Sequence, residues 1–505
     1  MKHLLLQKPL SLLAALLLAA PLAQSCGHEA ASHSDVRGPR LSHPSATREA
    51  HASAHPASPA ALPDGLGAPR GHIDQDVAPT PRDDHPLQRF YSLLEVIERP
   101  DAPPTRVRIL QIGDSHTASD TFTGPLREAL QERFGDGGRG YLFAGTPWSS
   151  YRQRDASYSM TAGWSGGVGI RGGANEFSLG GARIYTDSAG EVVERGPCRR
   201  CTGGREADHL RIHYLRAPEG GDFEVRVDDE APIRIETRAD ATSMGVFEMP
   251  LAMGEHTLRI ESLGGGRVTL FGTSFEDSRG GVIVDSLGVN GAQLRHFLSF
   301  NDALTKEEVQ SLQPDLLILA FGANEAMSSR YQVRDPKNQA LELLEKLQAY
   351  RFEILELLER YRSAAPNAEC LLLLPPDMLP ARSSEGCEDY HFESEELSGV
   401  RCVQQPPYNY AGIINAQRFA AMTAGCAVWD QQRAMGGEGA MDIWRELRLG
   451  ARDGVHLRSS GYDQLAEGFF ADLMQNYERW RSGDVEPLST TVIFPQLATS
   501  ARDGQ

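Results

Sequence analysis

Two parts of the chain alternate short apolar runs with longer stretches of helical periodicity. The apolar runs have the length of buried strands, and they lie at residues 107–112, 282–285, 316–321, 370–374 and 427–430. Other stretches repeat their apolar residues at helical spacing, most clearly at 122–134, 339–362, 410–424 and 460–480. Strands that alternate with helices predict a three-layer α/β/α fold built on a parallel sheet.

A different pattern occupies residues 147–280. Here short runs of alternating apolar and polar residues are separated by Gly, Asp and Pro, at 210–214, 223–227, 233–235, 256–260 and 268–271. Alternation at this spacing is typical of antiparallel strands, and it predicts a β-sandwich. Because the sandwich interrupts the α/β pattern, we interpret it as a domain inserted between two parts of one α/β domain.

Candidate catalytic residues stand just after the predicted strands. Ser115 follows the first strand across Gly113, and a helical stretch begins shortly afterwards. A hydroxyl held there, at the carboxyl end of a parallel sheet and beside a helix N-terminus, lies where developing negative charge is favoured. Asn324 follows the strand at 316–321, and its amide N–H is a suitable donor to an oxyanion.

A base and its carboxylate partner stand close together far downstream. Asp453 precedes His456 by three residues, just ahead of the last helical stretch. A serine hydroxyl is a weak nucleophile until a base takes its proton, and a carboxylate fixes the tautomer of that base. In one tight turn Asp453 can reach one ring nitrogen of His456 while the other faces Ser115. The sequence therefore predicts a Ser115–His456–Asp453 triad.

Two further motifs are rejected as functional. Residues 163–167 match the pattern GxSxG around Ser165, but no strong strand precedes them and no helix follows. Residues 135–140 match GxGxxG, but they follow a helix instead of joining a strand to a helix, so no dinucleotide site is expected.

Four short blocks of the chain resemble those of the SGNH (GDSL-type) hydrolases. They are Gly-Asp-Ser-His at 113–116, Val-Asn-Gly-Ala at 289–292, Gly-Ala-Asn-Glu at 322–325 and Asp-Gly-Val-His at 453–456. The third block departs from the family, which more often has Asp after the Asn. The four blocks occur in the family's order, and the resemblance covers residues 104–146 and 281–481. The long insertion and Arg-Ala-Met-Gly-Gly at 433–437 are similar to bacterial cell-envelope members, including peptidoglycan O-acetylesterases.

The resemblance implies a role for each candidate. Ser115 would attack the acyl carbonyl, His456 would take and return the proton, and Asp453 would orient His456. The oxyanion would be held by the backbone N–H groups of Ser115 and Gly291 and by the side-chain amide of Asn324. This chemistry requires no cofactor and no metal.

Other residues near these blocks and in the insertion are expected to have supporting roles. Gly288 is the alternative to Gly291 as the backbone donor. Asp114 is expected to organise the turn through backbone hydrogen bonds, and His116 to be structural or to line the pocket. The resemblance also implies that the insertion is a carbohydrate-binding-like jelly roll. Its aromatic residues either stack on sugar rings or pack in its core: Trp148, Tyr151, Tyr158 and Trp164.

Composition and net charge argue against nucleic acid and anionic lipid as partners. The chain of 505 residues has 40% apolar and 23% charged residues, which is ordinary for a globular protein. Its net charge of −18 and the lack of a basic stripe argue against a nucleic-acid partner. The same charge argues against electrostatic adsorption to anionic lipid.

The N-terminus has the pattern of an export signal. Two lysines precede an apolar run at 10–20 that is too short to span a bilayer comfortably, so no transmembrane helix is expected in the mature chain. Residues 22–27 resemble a bacterial lipobox, in which Cys26 would carry the lipid anchor. Ordinary cleavage near Ala23 or Ser25 is the alternative. We expect an exported bacterial protein, either periplasmic or anchored to the outer membrane.

These patterns divide the chain into six segments. They are a signal peptide with a lipobox (1–26), a disordered linker (27–85), the first part of the hydrolase domain (86–146), the inserted sandwich (147–280), the second part of the hydrolase domain (281–482) and a C-terminal tail (483–505). All candidate catalytic residues fall in the two hydrolase parts.

The cysteine count suits an oxidising compartment. The chain has seven cysteines, and six remain if Cys26 is lipidated, an even number that fits disulfides. Cys198 with Cys201, and Cys387 with Cys402, can each close a small loop. The sequence does not fix the connectivity.

The predicted function is hydrolysis of O-acetyl esters on a cell-wall polysaccharide, with peptidoglycan as the expected substrate. Three alternatives stay open. An O-acetyltransferase would use the same triad with a sugar hydroxyl as acceptor. A lipase or thioesterase is disfavoured because no long apolar lid segment is visible. A non-catalytic carbohydrate-binding envelope lipoprotein would use the sandwich alone.

Overall fold

The structure, a computed structural model, describes most of the chain beyond the N-terminal segment. The described residues are 85–197, 206–331, 339–380, 388–393, 398–403, 406–407 and 409–496. The predicted signal peptide, the lipobox, nearly all of the linker and the Cys198–Cys201 and Cys387–Cys402 pairings lie outside them. The described residues form one compact unit. None of the described helices is long and apolar enough to cross a membrane.

The helices and strands follow one another along the whole described chain. The helices are α1 (Gln88–Ile97), α2 (Ser115–Ala118), α3 (Thr123–Phe134), α4 (Leu294–Ser299), α5 (Asp302–Leu312), α6 (Ala323–Met327), α7 (Gln339–Ala364), α8 (Tyr410–Ala424), α9 (Gln431–Met435), α10 (Ala440–Glu446) and α11 (Ser459–Arg481). The strands up to the second catalytic block are β1 (Arg106–Gly113), β2 (Gly138–Phe143), β3 (Ala156–Met160), β4 (Ser165–Val168), β5 (Ala182–Thr186), β6 (Val192–Pro197), β7 (Ala207–Arg216), β8 (Asp222–Val227), β9 (Ile233–Ile235), β10 (Ser243–Gly254), β11 (Leu258–Gly264), β12 (Val268–Glu276) and β13 (Gly281–Gly288). The remaining strands are β14 (Leu316–Ala320), β15 (Glu369–Leu374), β16 (Glu388–Glu393), β17 (Ser398–Val403) and β18 (Ala427–Asp430).

A five-stranded parallel sheet carries the candidate catalytic residues. Its strand order is β13-β1-β14-β15-β18, and every neighbouring pair runs parallel. The five strands coincide with the five apolar runs, so the prediction of a parallel sheet is confirmed. Gly113 at the end of β1 pairs with Gly288 and Ala320 at the ends of its two neighbours. The carboxyl ends of these strands therefore meet at one edge.

Both faces of this sheet are buried, which explains why its strands are apolar without alternation. In β1, Val107 and Ile109 belong to one buried cluster, whereas Leu110 and Ile112 belong to a second. The first cluster also contains residues of α1, α3 and α11, and the second contains residues of α5, α7 and α8. Helical residues thus cover each face of the sheet.

The inserted region forms two antiparallel sheets. One has the order β10-β7-β12-β5-β4, with β2 also paired to β12, and the other has the order β3-β6-β11-β8-β9. A third buried cluster, which includes Leu210, Phe223 and Ile260, gathers apolar side chains from both sheets. The predicted antiparallel character is confirmed. The first strand of these two sheets is β2 (Gly138–Phe143), so the sheets begin before residue 147, the predicted start of the insertion.

The inserted region shares a core with the parallel sheet. Phe143 and Phe177 lie in the same buried cluster as Leu110 of β1 and Leu287 of β13. A buried ion pair also joins the two parts, because Arg108 Nη2 lies 2.5 Å from Glu276 Oε1 at the end of β12. The insertion therefore packs against the α/β part through a shared buried cluster and a buried ion pair.

The aromatic residues proposed for sugar stacking lie in or against the buried core. Tyr151 and Trp164 are 2% and 5% exposed. Trp148 and Tyr158 are half-buried and pack against the core that surrounds Tyr151. Of the two uses expected for these side chains, the structure supports core packing.

One disulfide links two elements of the parallel sheet. Cys370 in β15 and Cys426, just before β18, are bonded with their Cα atoms 4.7 Å apart. The two cysteines are 56 residues apart in sequence, and they become neighbours because β15 and β18 lie side by side. Neither cysteine belongs to the pairings considered from the sequence.

Candidate active site

Ser115 stands at the carboxyl end of β1 as the first residue of α2. Gly113 makes the turn, because a Cβ at this position would come within 2.4 Å of Thr117 Oγ1 and 2.6 Å of the Ala320 carbonyl oxygen. Asp114 then caps α2, since its Oδ1 accepts a hydrogen bond of 2.9 Å from the His116 N–H. This is the turn-organising place expected for Asp114. The Ser115 N–H is at a helix N-terminus, where it lacks an intrahelical acceptor.

The structure brings the three predicted triad residues together. Ser115 Oγ lies 2.8 Å from His456 Nε2, and His456 Nδ1 lies 2.7 Å from Asp453 Oδ2. The other oxygen of Asp453 accepts hydrogen bonds from the backbone N–H groups of Val455 and His456. The loop that carries the base is thus folded around its own carboxylate, and the imidazole faces the serine.

Asp453 is held as a carboxylate. Partial burial raises its pKa, but the hydrogen bond from His456 and those from two backbone N–H groups lower it more, so the net pKa is below the ordinary value. An ionised Asp453 at Nδ1 places the proton of neutral His456 on that nitrogen. The Nε2 lone pair is then available to accept the proton of Ser115.

Asn324 extends towards the same turn from the helix that follows β14. Its Nδ2 donates to the Ala292 carbonyl oxygen at 3.0 Å and to Asp114 Oδ2 at 3.3 Å. Glu325, which stands where the family more often has Asp, is buried and accepts hydrogen bonds from the N–H groups of Gly322 and Leu294. The Glu325 side chain therefore fixes the start of α6, on which Asn324 lies.

The two candidate glycines have different surroundings. Gly291 lines the cavity beside Ser115 and has a φ of +78°, which a residue with a side chain rarely adopts. Gly288 is packed against α2, because a Cβ there would lie 2.3 Å from the Ala118 nitrogen. Gly291 thus lies at the cavity, whereas Gly288 allows close packing behind the serine.

An open cavity of about 740 Å³ lies over the triad. Of the predicted residues, Ser115, Gly291, Asn324 and His456 line it. His116 does not, and it lines a smaller internal cavity instead. The other lining residues are not predicted to be functional from the sequence: Ser119, Thr121, Asn290, Leu457, Arg458, Ser459 and Tyr462. Most of them lie next to one of the four family-like blocks, and this closeness in sequence is the signal that could have identified them.

A buried charge cluster supports one rim of the cavity. Between Ser119 and Thr121, Asp120 has a left-handed φ of +53° and accepts hydrogen bonds from Arg127 and Arg139 at 2.7–3.1 Å. Burial raises the pKa of Asp120, but the two arginines lower it more, to about 2. Because Arg139 belongs to β2, this rim is tied to the inserted region.

No group of three or more His, Cys, Asp or Glu side chains that could hold a metal ion occurs in the part of the chain that the structure describes. The residues around the cavity supply hydroxyl, amide, imidazole, guanidinium and backbone N–H groups, beside the apolar side chain of Leu457. Such a set provides a nucleophile, a base and donors to an oxyanion.

Comparison with known proteins supports this fold. No family model and no curated protein matches the sequence. Among solved structures, that of a peptidoglycan O-acetylesterase is similar with a TM-score of 0.61 and 23% identity, over 79% of this chain and 97% of that one. The likeness agrees with the SGNH-type fold that the four blocks imply, and it includes the inserted region because it spans most of both chains.

Other solved structures are less similar. A family two carbohydrate esterase from Cellvibrio japonicus has a TM-score of 0.23 and 12% identity, over 65% of this chain and 99% of that one. A lipase/acylhydrolase from Enterococcus faecalis has a TM-score of 0.24 and 18% identity, over 39% and 77%. These scores are too low to carry an argument about this chain.

Proposed function

We propose that this protein is a serine esterase that removes O-acetyl groups from a cell-wall polysaccharide, with peptidoglycan as substrate. The observation that carries the proposal is the continuous path from Ser115 Oγ to His456 Nε2 (2.8 Å) and from His456 Nδ1 to Asp453 (2.7 Å) beneath an open cavity. The four blocks and the fold shared with a peptidoglycan O-acetylesterase support the same substrate class.

The residues support acyl transfer in two halves. Ser115 Oγ attacks the acetyl carbonyl carbon while its proton passes to His456 Nε2, and the resulting oxyanion is held by the N–H groups of Ser115 and Gly291 and by Asn324. The C–O bond to the sugar then breaks, and the sugar oxygen takes the proton from His456. A water then gives a proton to His456 and attacks acetyl-Ser115; the ester bond to Oγ breaks, acetate leaves, and His456 returns the proton to Ser115 Oγ.

The proposal includes export from the cytoplasm. The N-terminal pattern, with its apolar run and Cys26, supports a signal peptide and a lipid anchor. The Cys370–Cys426 disulfide supports an oxidising compartment, because such bonds rarely persist in the cytosol. A periplasmic or outer-membrane location would place the enzyme next to its polymer.

The decisive experiment measures acetate release and active-site labelling. Wild type should hydrolyse 4-nitrophenyl acetate and release acetate from O-acetylated peptidoglycan, and Ser115→Ala should abolish both. A serine-directed organophosphate should label Ser115. The matched control is Ser165→Ala, which changes the serine of the rejected GxSxG motif in β4 and should leave activity and labelling unchanged. Activity that survives Ser115→Ala, or labelling at Ser165, would refute the assignment.

The acetyltransferase alternative uses the same triad and differs in the acceptor. If a saccharide acceptor takes up the acetyl group faster than acetate is released, the protein is a transferase. A chain that neither hydrolyses esters nor reacts with organophosphate, yet binds the polymer, would be a carbohydrate-binding protein.

A further inference from the structure

Tyr462 and His116 connect the two catalytic loops. His116 follows Ser115 in α2, and Tyr462 lies in the first turn of α11, just after the loop that carries His456. Tyr462 Oη lies 2.7 Å from His116 Nδ1, and the two residues are 5% and 6% exposed. The ring of His116 also packs against that of His456, with 5.2 Å between the ring centroids.

The contact with Tyr462 sets the proton position on His116. A neutral imidazole has one donor and one acceptor nitrogen. We assign His116 Nδ1 as the acceptor of the Tyr462 hydroxyl proton, which leaves the His116 proton on Nε2. Burial, and next the nearby His456, lower the pKa of His116 to about 3, so it stays neutral around pH 7.

The other end of the His116 ring faces a small internal cavity. His116 Nε2 and Gln111 Oε1 have no hydrogen-bond partner among the described residues, and both residues line a cavity of about 10 Å³. A single water fits such a space and would bridge this donor and this acceptor. Gln111 in turn donates to Thr117 Oγ1 at 3.0 Å, within α2. The contact with Tyr462 is therefore the hydrogen bond that orients the His116 imidazole among the described residues.

We propose that Tyr462 and His116 are positioning residues that hold His456 at its working distance from Ser115. The hydrogen bond between Tyr462 and His116 joins α11, which follows the loop of His456, to α2, which begins at Ser115. Without it, the loop that carries His456 can shift relative to α2, and proton transfer is sensitive to shifts of well under an ångström. The proposal rests on the esterase function proposed above.

The first test removes only the hydroxyl. Tyr462→Phe should lower kcat for 4-nitrophenyl acetate by roughly 10–100-fold, with KM changed less than twofold, because geometry and not substrate binding is altered. The rate of organophosphate labelling of Ser115 should fall by a similar factor. The matched control is Tyr477→Phe in the same helix, which removes a hydrogen bond of 2.9 Å to Glu98 Oε2 and should change neither rate.

The second test acts on His116 and gives a rescue. Asn places an acceptor where His116 Nδ1 lies, so His116→Asn should keep most of the activity, whereas His116→Leu should lose as much as Tyr462→Phe. The double variant Tyr462→Phe/His116→Leu should lose no more than either single variant, since both break one connection. If Tyr462→Phe does not fold, the Asn–Leu comparison at His116 still decides.

Several outcomes would overturn the proposal that Tyr462 and His116 position His456. A Tyr462→Phe variant with wild-type kcat would do so, and so would one in which only KM rises, because Tyr462 would then merely bind substrate. An equal loss in Tyr477→Phe would mean general destabilisation. Failure of the proposed function gives a different result, because wild type itself then neither hydrolyses the ester nor is labelled at Ser115. The positioning role would be refuted together with the esterase function.

Discussion

At the scale of single residues, Asn324 has two acceptors for one amide nitrogen. Nδ2 donates to the Ala292 carbonyl oxygen at 3.0 Å, while the contact with Asp114 Oδ2 at 3.3 Å is long for a hydrogen bond. The proton on the longer contact is the one that can be shared with an oxyanion as charge develops. The strong bond to Ala292 keeps the amide oriented meanwhile.

Replacing Asn324 should therefore affect the transition state more than substrate binding. Asn324→Ala should lower kcat by roughly 10²–10³ with little change in KM, as is typical for loss of one oxyanion donor. Asn324→Asp, which keeps the shape and loses the donor, should be at least as severe. Steady-state kinetics on 4-nitrophenyl acetate would check this, and a change confined to KM would show that Asn324 only binds substrate.

Asp114 gives the site a pH dependence. Burial raises its pKa to about 8, although the His116 N–H and the Asn324 amide act to lower it, and the charge of nearby Glu325 raises it further. Below that pH the carboxyl is neutral. Above it, a negative charge lies 3.3 Å from the amide that should stabilise the oxyanion, so the oxyanion is disfavoured.

We therefore expect kcat to fall as pH rises through about 8, and Asp114→Asn to remove this fall. The variant's plateau should be lower, because an amide has one acceptor oxygen for the two donors that Asp114 serves. The diagnostic is the shape of the kcat–pH profile between pH 6 and 10, with circular dichroism at each pH as the control. An alkaline fall that persists in Asp114→Asn would assign it to another group.

At the scale of elements, the disulfide fastens the edge of the parallel sheet. Cys370 lies in β15, Cys426 precedes β18, and the chain between them carries β16, β17 and α8. A bond across a loop of this length restricts the unfolded chain and so favours the folded one. The chain-entropy model gives about 4 kcal/mol as an upper value for 56 residues.

Replacing both cysteines by Ala should lower the free energy of unfolding by roughly 2–4 kcal/mol while leaving kcat unchanged. The bond is distant in sequence from all three triad residues, which is why activity should survive in the folded fraction. Chemical denaturation with and without reductant would measure the effect. If reduced wild type and the double variant were as stable as the oxidised protein, the bond would contribute nothing to folding.

The elements that could be predicted from sequence are those with local signals. A short stretch of sequence is enough to predict each of three elements: the strand before Ser115, the strand before Asn324 and the Asp453–His456 turn. The two strands lie in the parallel sheet as predicted. The Tyr462–His116 contact and the Cys370–Cys426 bond have no such signal. Each joins residues that become neighbours only after the sheet has been assembled.

At the scale of the whole molecule, the insertion and the parallel sheet stabilise each other. Sequence alone suggested a separable module, because alternating apolar residues look the same whether they pack inside a sandwich or against another domain. The structure places Phe177 and Leu179 of the insertion in one buried cluster with Leu110 and Leu287. Removing the insertion would expose that face of the catalytic sheet.

Deletion of residues 147–280 should therefore abolish cooperative folding. The expected result is loss of the sigmoidal thermal transition in circular dichroism, together with loss of activity on small and polymeric esters alike. The deletion also removes β12, the strand against which β2 pairs. A deletion variant that melts cooperatively and still cleaves 4-nitrophenyl acetate would show that the shared cluster is dispensable.

The position of the insertion also sets the order in which the chain can assemble as it is synthesised. β1 begins at Arg106, but both of its neighbours in the sheet, β13 and β14, begin only at Gly281 and Leu316. At roughly 5–20 residues per second, β1 waits on the order of ten seconds or more for a partner. The sandwich strands can pair while they emerge, whereas the catalytic half stays open. The delay would suit the export proposed above, because a chain whose catalytic half is still open can be passed through a membrane.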